Sequence, residues 1–592
     1  MDAPPETLRA AAVALGGDPL ALRLLAGWVR GCAESRLDPG VVSAADGADE
    51  EPVARVLALI ERALDPPPTS WRERVRRWLG PPTPSPALAV LRVACLFDGP
   101  VDAGALAALR GGAPIAGLTD GLAGLSEAGW QAAVEALRGL GLVEGEGLHA
   151  PAPVRAWFGA ALRAAHPAAW AEGHGRIARH YAAAAPAQPE TLAAMRPLFR
   201  AVVHGCAAGW HQEMLEEIYW QRIQRADDFY AWRVLGAFAA DEAAFAAFFA
   251  EPWDRPHPGL DAHAQAIVLG WASYRLRALG QVAAAVAPGA ASVARHVEQG
   301  RWVSAAVAAG NLAETWLCLG CFGDDPAGED DIFDADGIAL GRVHGIEVGA
   351  IAMARVAVEL ADRSRDGFQR AGKRALLGEV LHQRGRIDEA VGVFEVAEGT
   401  QALDEPARPV LYGIAGYRYG ELLRAIGQVD AARARAAQWR AWLAEGQGKA
   451  LETALGEVLW GRLLVAAGDD EGFRAAGAHF EAAVAGLRAA GMRDELPRGL
   501  LARAAWYRAA GDARAARRDV EEAMAVAAGG GMRLYLADGW IEAAWQDLFG
   551  GDRAAAGRAY GEARALVEAT GAGSRAVMLE ALAAVLERGS SR

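Results

Sequence analysis

Along most of this chain apolar residues recur at intervals of three and four, and glycine or proline interrupts them more often than polar alternation does. That period predicts helices. Apolar-periodic segments fall at 5–15 and 19–32, and an amphipathic one at 51–64. PPPTSW (66–71) and GPPTPSP (80–86) break any helix, because proline lacks the donor and clashes with the preceding turn, so a helical segment over 1–80 ends there.

Beyond that break the rhythm changes. PALAVLRVACLF (86–97), DAGALAAL (102–109) and SEAGWQAAVEALRGLGLV (126–143) read as helices, LVEGEGLHAP (142–151) as two short strands around a Gly-Glu-Gly turn, and PVRAWFGAALR (153–163) as a further helix. Three helices and a two-stranded wing predict a winged-helix domain over 84–163. Its third helix offers Glu127, Gln131, Glu135 and a single Arg138, a poor set for phosphate contacts. Residues 164–262 form a helical junction whose aromatic group, IYWQRIQRADDFYAWRVLGAF (218–238), is expected to fill a core.

From 263 to 592 the chain repeats itself. LRALGQVAAA, LCLG, LHQRGRIDEA, LRAIGQVDAA, LVAAGDDEGF, YRAAGDARAA and FGGDRAAA each end one helix at a glycine and begin another. These glycines are Gly280, Gly320, Gly385, Gly427, Gly468, Gly511 and Gly551, spaced by 40, 65, 42, 41, 43 and 40 residues. The long interval is a repeat plus an insertion, for which the acidic stretch near 320–345 is the candidate. Seven positions before the glycines stand Ser273, Ala313, Gly378, Gly420, Gly461, Ala504 and Ala544; five after stand Ala285, Ala390, Ala432, Ala516 and Ala556. Small residues at matched places let paired helices approach closely.

This spacing resembles the tetratricopeptide repeat, most closely in LLGEVLHQRGRIDEAVGVF (376–394) and YGELLRAIGQVDAA (419–432). The resemblance implies a mainly α protein whose C-terminal part is an α-solenoid superhelix with an open concave face, a geometry for binding. The period exceeds the 34 residues usual in that family, as in the repeats of bacterial signal-transduction ATPases. LGGDPLALRLLAGW (15–28) is similar to the segment ending the ATPase core of that group, which contains the NB-ARC proteins. There the proline matching Pro19 touches the nucleotide base, and the winged-helix histidine matching His149 senses phosphate. Ala150 stands where an aspartate is common, and Ala152–Pro153 interrupt the run into the next helix. No G-x-x-x-x-G-K-[ST] loop exists to cradle phosphates, since Lys373 sits in RAGKRAL and Lys449 in GQGKAL. The chain therefore reads as the C-terminal half of such a switch without its motor.

Composition narrows the classes. A net charge of −14 disfavours nucleic acid as main partner. Five scattered cysteines fit a reducing compartment. The N-terminus lacks the cationic and apolar regions of a signal peptide, and no uninterrupted apolar run approaches a membrane span, so a cytoplasmic protein is expected. Lysine appears only at Lys373 and Lys449, and composition assigns no function to either.

Catalytic chemistry finds little purchase. Cys318 and Cys321 form one C-x-x-C without a second pair or a neighbouring histidine; the acids between 324 and 336 miss the calcium-loop spacing; His204 and His211 lie seven apart, outside any metalloprotease motif. The expectation is a non-enzyme with no cofactor and no metal. Six positions before the turn glycines stand Tyr274, Glu314, Glu379, Glu421, Arg462, Ala505 and Trp545. The three consecutive glutamates predict an acidic strip on the concave face, gripping a basic or amphipathic protein or peptide, with Tyr274, Arg462 and Trp545 as anchors. The expected function is a scaffold or sensor of a bacterial signalling or defence system. One alternative is a split switch in which a companion ATPase chain supplies the P-loop and Pro19 and His149 complete its site; a weaker one is a DNA-binding regulator acting through the winged helix.

Overall fold

Alanine-rich segments with apolar residues every three or four positions fold as helices throughout, and the chain divides into two units, 1–189 with 193–219 and 190–192 with 220–592. The computed structural model describes residues 13, 15–31, 51–64, 84–145, 147–323, 342–343, 346–347, 349–445 and 450–588. The proline-rich break at 66–83 and most of the acidic stretch lie outside the described residues. Among the described residues no helix is long and apolar enough to cross a membrane.

In the first unit α1 (Pro19–Gly31) and α2 (Pro52–Leu64) share one hydrophobic core with α3 (Pro86–Ala94), α4 (Ala103–Arg110), α5 (Glu127–Gly139), α6 (Ala152–Ala165) and α7 (Pro167–Ala184). The helix starts are written in the sequence. Asp18, Ser85, Asp102 and Ser126 each accept a hydrogen bond from the backbone N–H three residues on, satisfying donors that have no intrahelical partner. Gly27 lets α1 rest on the end of α5: a Cβ there would stand 2.6 Å from the Leu140 carbonyl carbon. Trp157 of α6 donates to Glu61 of α2 at 2.8 Å. The two strands expected over 142–151 reduce to one antiparallel bridge, in which Glu144 N–H donates to the His149 carbonyl around Gly145 at φ +74°. After α7, α8 (Leu192–Ala207) completes the regular helices of this part of the chain.

The second unit opens on the aromatic group, where Trp232, Phe238, Phe245 and Phe248 are fully buried. Seven helix pairs follow: α9 (Ala262–Ala278) with α10 (Val286–Glu298), α11 (Trp302–Cys318) with α12 (Ala350–Ser364), α13 (Gly367–Arg384) with α14 (Ile387–Asp404), α15 (Gly413–Ala425) with α16 (Val429–Glu445), α17 (Ala450–Ala466) with α18 (Asp470–Ala489), α19 (Leu496–Ala510) with α20 (Ala513–Gly530), and α21 (Arg533–Phe549) with α22 (Arg553–Thr570); α23 (Ala576–Arg588) is last. All seven turn glycines have φ between +70° and +88°, the left-handed region where a Cβ is strained. The matched small residues do what their spacing promised. Gly378 and Gly461 face the rings of Phe394 and Phe480, with a built Cβ at 2.7 and 2.8 Å, and the alanines five positions after the turns are fully buried at Ala390, Ala432, Ala516 and Ala556.

In the second repeat the chain leaves the turn at Gly323 and returns at Gly349. Ala350 N–H donates to the Cys321 carbonyl and Ile351 N–H to that of Phe322, at 2.9 and 3.0 Å, so the insertion begins and ends at one point and leaves the helix pairing intact. Successive first helices pack on one another, and α10, α12, α16, α18 and α20 each pack on the first helix that follows. The first helices therefore form the inner wall.

That wall is not an open concave face. The array winds far enough for its later repeats to meet its first three. Arg493 N–H donates to the Ala278 carbonyl at 2.7 Å, Arg533 Nε to that of Leu319 at 2.7 Å, and Ser574 Oγ to that of Gln383 at 3.1 Å. The later partners follow a second series of left-handed glycines, Gly491, Gly531 and Gly571, at the turns between repeats. Gly-Met-Arg occurs at 491–493 and again at 531–533, with Met492 and Met532 buried beneath.

Candidate functional site

Each first helix sets the position six before its glycine toward the interior, and the structure brings four of the expected residues into charge networks. Glu314 receives Arg277 Nη2 at 2.7 Å and Arg418 Nη2 at 2.5 Å. Burial would raise its carboxyl, but Arg277 and Arg418 outweigh that and hold it at about 2. Glu421 takes Arg462 at 2.7 Å and Arg424 at 3.1 Å, and those two arginines likewise hold it at about 2 against burial. Glu379 accepts from Gln383 Nε2 at 3.0 Å with His382 Nδ1 3.8 Å away; its burial is again outweighed, chiefly by His382 and then by Arg498 and Arg418, leaving it at about 2.

The three glutamates thus form no free acidic strip. Their charges are answered within the chain: Glu421 by Arg424 one turn on and Arg462 on the next first helix, Glu314 by Arg277 on the preceding first helix and Arg418 two first helices on, and Glu379 by Gln383 and His382 on its own helix. The aromatic anchors differ from one another. Tyr274 lies among Trp232 and Phe238, ring centroids 6.2 and 6.0 Å away, with Arg277 over its face; it holds the wall together. Trp545 is half-buried under Arg508, 6.0 Å from its ring centroid.

Sequence reading missed three members of this wall. Asp494 is fully buried opposite Arg277, at 3.3 Å from Nη1. Arg498 donates to Glu495 at 2.8 Å and to the Tyr417 hydroxyl at 3.2 Å. Lys373 lies across the bare backbone of Gly310. Asp494 and Arg498 sit outside the turn register, where no periodic signal points; Lys373 stands out as one of two lysines in an arginine-rich chain, but nothing in its spacing gives it a place in the wall.

Cys318 and Cys321 do separate things. Burial pushes the Cys318 thiol up to about 12, whereas Cys321 Sγ accepts from Arg533 Nη2 at 3.0 Å. Among the described residues no group of three His, Cys, Asp or Glu side chains gathers to hold a metal ion.

In the first unit, Pro19 starts α1 with its ring exposed, and His149 lies in the bridge after α5. Arg23, one turn after Pro19, pairs with Glu144 at 2.5 Å, which ties α1 to the bridge carrying His149. His149 Nε2 is 3.3 Å from Arg155 Nη1, which also donates to the Ala150 carbonyl at 2.7 Å. On α5, Gln131 donates to Glu127 at 2.8 Å and Arg138 pairs with Glu135 at 2.6 Å, so its polar face is satisfied along the helix. His204 pairs with a histidine the spacing did not suggest, His174, Nδ1 to Nδ1 at 2.8 Å, while His211 is buried.

No family model and no curated protein matches the chain. Among solved structures, a Signal Transduction ATPase with Numerous Domains protein with a tetratricopeptide repeat sensor, from Pyrococcus horikoshii, matches at 12% identity over 96% of this chain and 74% of that one, with a TM-score of 0.26. The likeness is coarse, so the fold assignment rests on this chain's own helix pairs and left-handed turns.

Proposed function

We propose that the chain is a non-catalytic interaction module of a signalling system, in which the second unit recognises a protein or peptide segment and the first, with its winged-helix-like arrangement, relays or docks. The observation that carries this reading is the inner wall. Helix pairs whose first members line one interior present charges that water still reaches, with side-chain exposure of 27% at Arg462, 18% at Glu314 and 9% at Glu421. A basic or amphipathic segment enters by exchange, its cation taking Glu421 or Glu314 from the resident arginines, while Glu379, Arg462 and Trp545 flank it.

The test keeps the internal pairs and reverses their direction. Glu421→Arg with Arg424→Glu and Arg462→Glu preserves both bridges, and in affinity capture from native lysate at low salt it should lose the partner that the unaltered chain retains. Capture of the same partner by both chains ends the reading.

A second reading is favoured by the Arg23–Glu144 tie, which holds the helix of Pro19 beside the bridge of His149. In this reading a companion ATPase chain supplies the phosphate loop and these two residues complete its site. Nucleotide affinity of the isolated chain should then be absent and appear only with the companion.

A further inference from the structure

A cleft of about 260 Å³ lies on the first helix pair, between α10 and the turn of a short hairpin that precedes the repeats, β1 (Phe249–Glu251) with β2 (Arg255–Pro256). Its floor is hydrocarbon. Ala287, Ala291 and Ala294 recur along one face of α10 at intervals of four and three, and Leu269 of α9 adds to them. A further step of four reaches Glu298, the last residue of α10, and the hairpin turn brings Asp254 to the same cleft. Among the described residues neither carboxylate makes a hydrogen bond or ion pair. Arg255, next to Asp254, pairs with Glu251 at 2.5 Å, and Arg295, one turn before Glu298, lines the cleft but donates to Gln265 Oε1 at 2.7 Å. Arg301, beyond the end of α10, stands near His263 and His296 and does not line the cleft. Two carboxylates and one guanidinium thus share the rim, an excess of one negative charge. Glu298 is also at the wrong end of its own helix, because the last turn carries partial negative charge on carbonyls without an intrahelical partner and favours a cation.

We propose that this cleft binds a small aliphatic amine, its ammonium held by Asp254 and Glu298 and its hydrocarbon body laid on the alanines of α10. An ammonium supplies three donors without a fixed plane to two groups that only accept, and its single charge balances the excess on the rim. A short alkyl chain covers the methyl groups of the floor without displacing any polar partner. Trp253, the residue before Asp254, stacks on Phe245 with ring centroids 5.8 Å apart, which anchors the hairpin turn and places Asp254 before any ligand arrives. The inner wall is built from other residues, so failure of the protein-binding reading leaves this site standing.

Thermal melting of the full chain at constant ionic strength tests the site, with n-butylammonium chloride titrated against two references, sodium chloride, which lacks the hydrocarbon body, and 1-butanol, which lacks the charge. Butylammonium should raise Tm saturably where neither reference does. Asp254 and Glu298 are exposed, so Asp254→Asn and Glu298→Gln leave the fold intact, and each should weaken the response by about tenfold, the loss of one charge-assisted hydrogen bond. Ala291→Leu, which fills the floor and keeps both carboxylates, should weaken it as well while leaving the helical circular dichroism unchanged. The proposal is overturned if butylammonium gives no saturable response, or if any of the three variants binds it as the unaltered chain does.

Discussion

Arg277 of the first repeat stands 3.3 Å from Asp494, which belongs to the turn region between the fifth and sixth repeats, and among the described residues neither Asp494 carboxylate oxygen makes a hydrogen bond. The contact closes one turn of the superhelix on its interior. The better partner of Arg277 is Glu314 at 2.7 Å, so Asp494 is a buried carboxylate only half answered.

Its titration follows from that. Burial raises the Asp494 carboxyl to about 7, Glu495 and Glu314 add to the rise, and Arg277 opposes it. The folded state therefore holds a proton that the unfolded chain has lost above about pH 4, and the stability this proton gives is present below pH 4 and drains away as pH rises through about 7. Urea unfolding of Asp494→Asn should show a flatter slope across that window and, at pH 8, a gain of about 1–3 kcal/mol from removing the unanswered charge. An unchanged slope would remove Asp494 from the account.

The first unit should respond in the opposite sense. Burial drives His174 well below its ordinary range, with His204 and Arg163 contributing, and drives His204 to about 4, with Arg200 contributing. Both are deprotonated in the fold, so stability is complete above about pH 6.5 and falls as pH drops from there toward about 4. The His204 contribution alone is on the order of 3 kcal/mol at the acid end. Melting followed at the histidine ring protons between pH 7 and 4 checks it, and a His204→Phe chain that is equally acid-labile speaks against the pair as the cause.

Two turn glycines separate the local role from the long-range one. Gly427 has φ +79° and open space around it, so alanine there meets only backbone strain, about 1 kcal/mol. Gly385 has φ +88°, and a Cβ on it would stand 2.9 Å from the backbone of Gly573. Gly385→Ala should cost clearly more than Gly427→Ala in denaturant midpoint. Equal costs would mean that the closure contributes nothing to stability.

Asp241 is fully buried, bonded to Arg275 at 2.9 Å and to Trp232 Nε1 at 2.8 Å. Asp241→Ala leaves the buried guanidinium without its carboxylate and should destabilise the second unit by about 3–5 kcal/mol in chemical unfolding. A loss below 1 kcal/mol would show that the Phe238 carbonyl, which also accepts from Arg275, suffices.

What was legible in the sequence was everything set within one helix pair. A left-handed turn demands glycine and close helix contact demands small side chains, so Gly280 through Gly551 and the alanines after them mark the repeats by themselves. Asp18, Ser85, Asp102 and Ser126 mark helix starts for the same local reason. The charge networks were not legible. Glu314, Glu379 and Glu421 share a register with Arg462, and Arg277 and His382 share another, three before their glycines, but which charge meets which, and the arrival of Arg418 and Arg498 from outside both registers, follows the curvature of the stack and not the repeat.

The sequence alone determined that paired helices would recur, because turn geometry and helix contact are satisfied by residues a few positions apart. Only the tertiary structure decided that the array closes on itself and that its inner charges are answered from within. Small rotations between successive pairs add up over five repeats, and it is that sum that brings Arg493 to Ala278, Arg533 to Leu319 and Asp494 to Arg277.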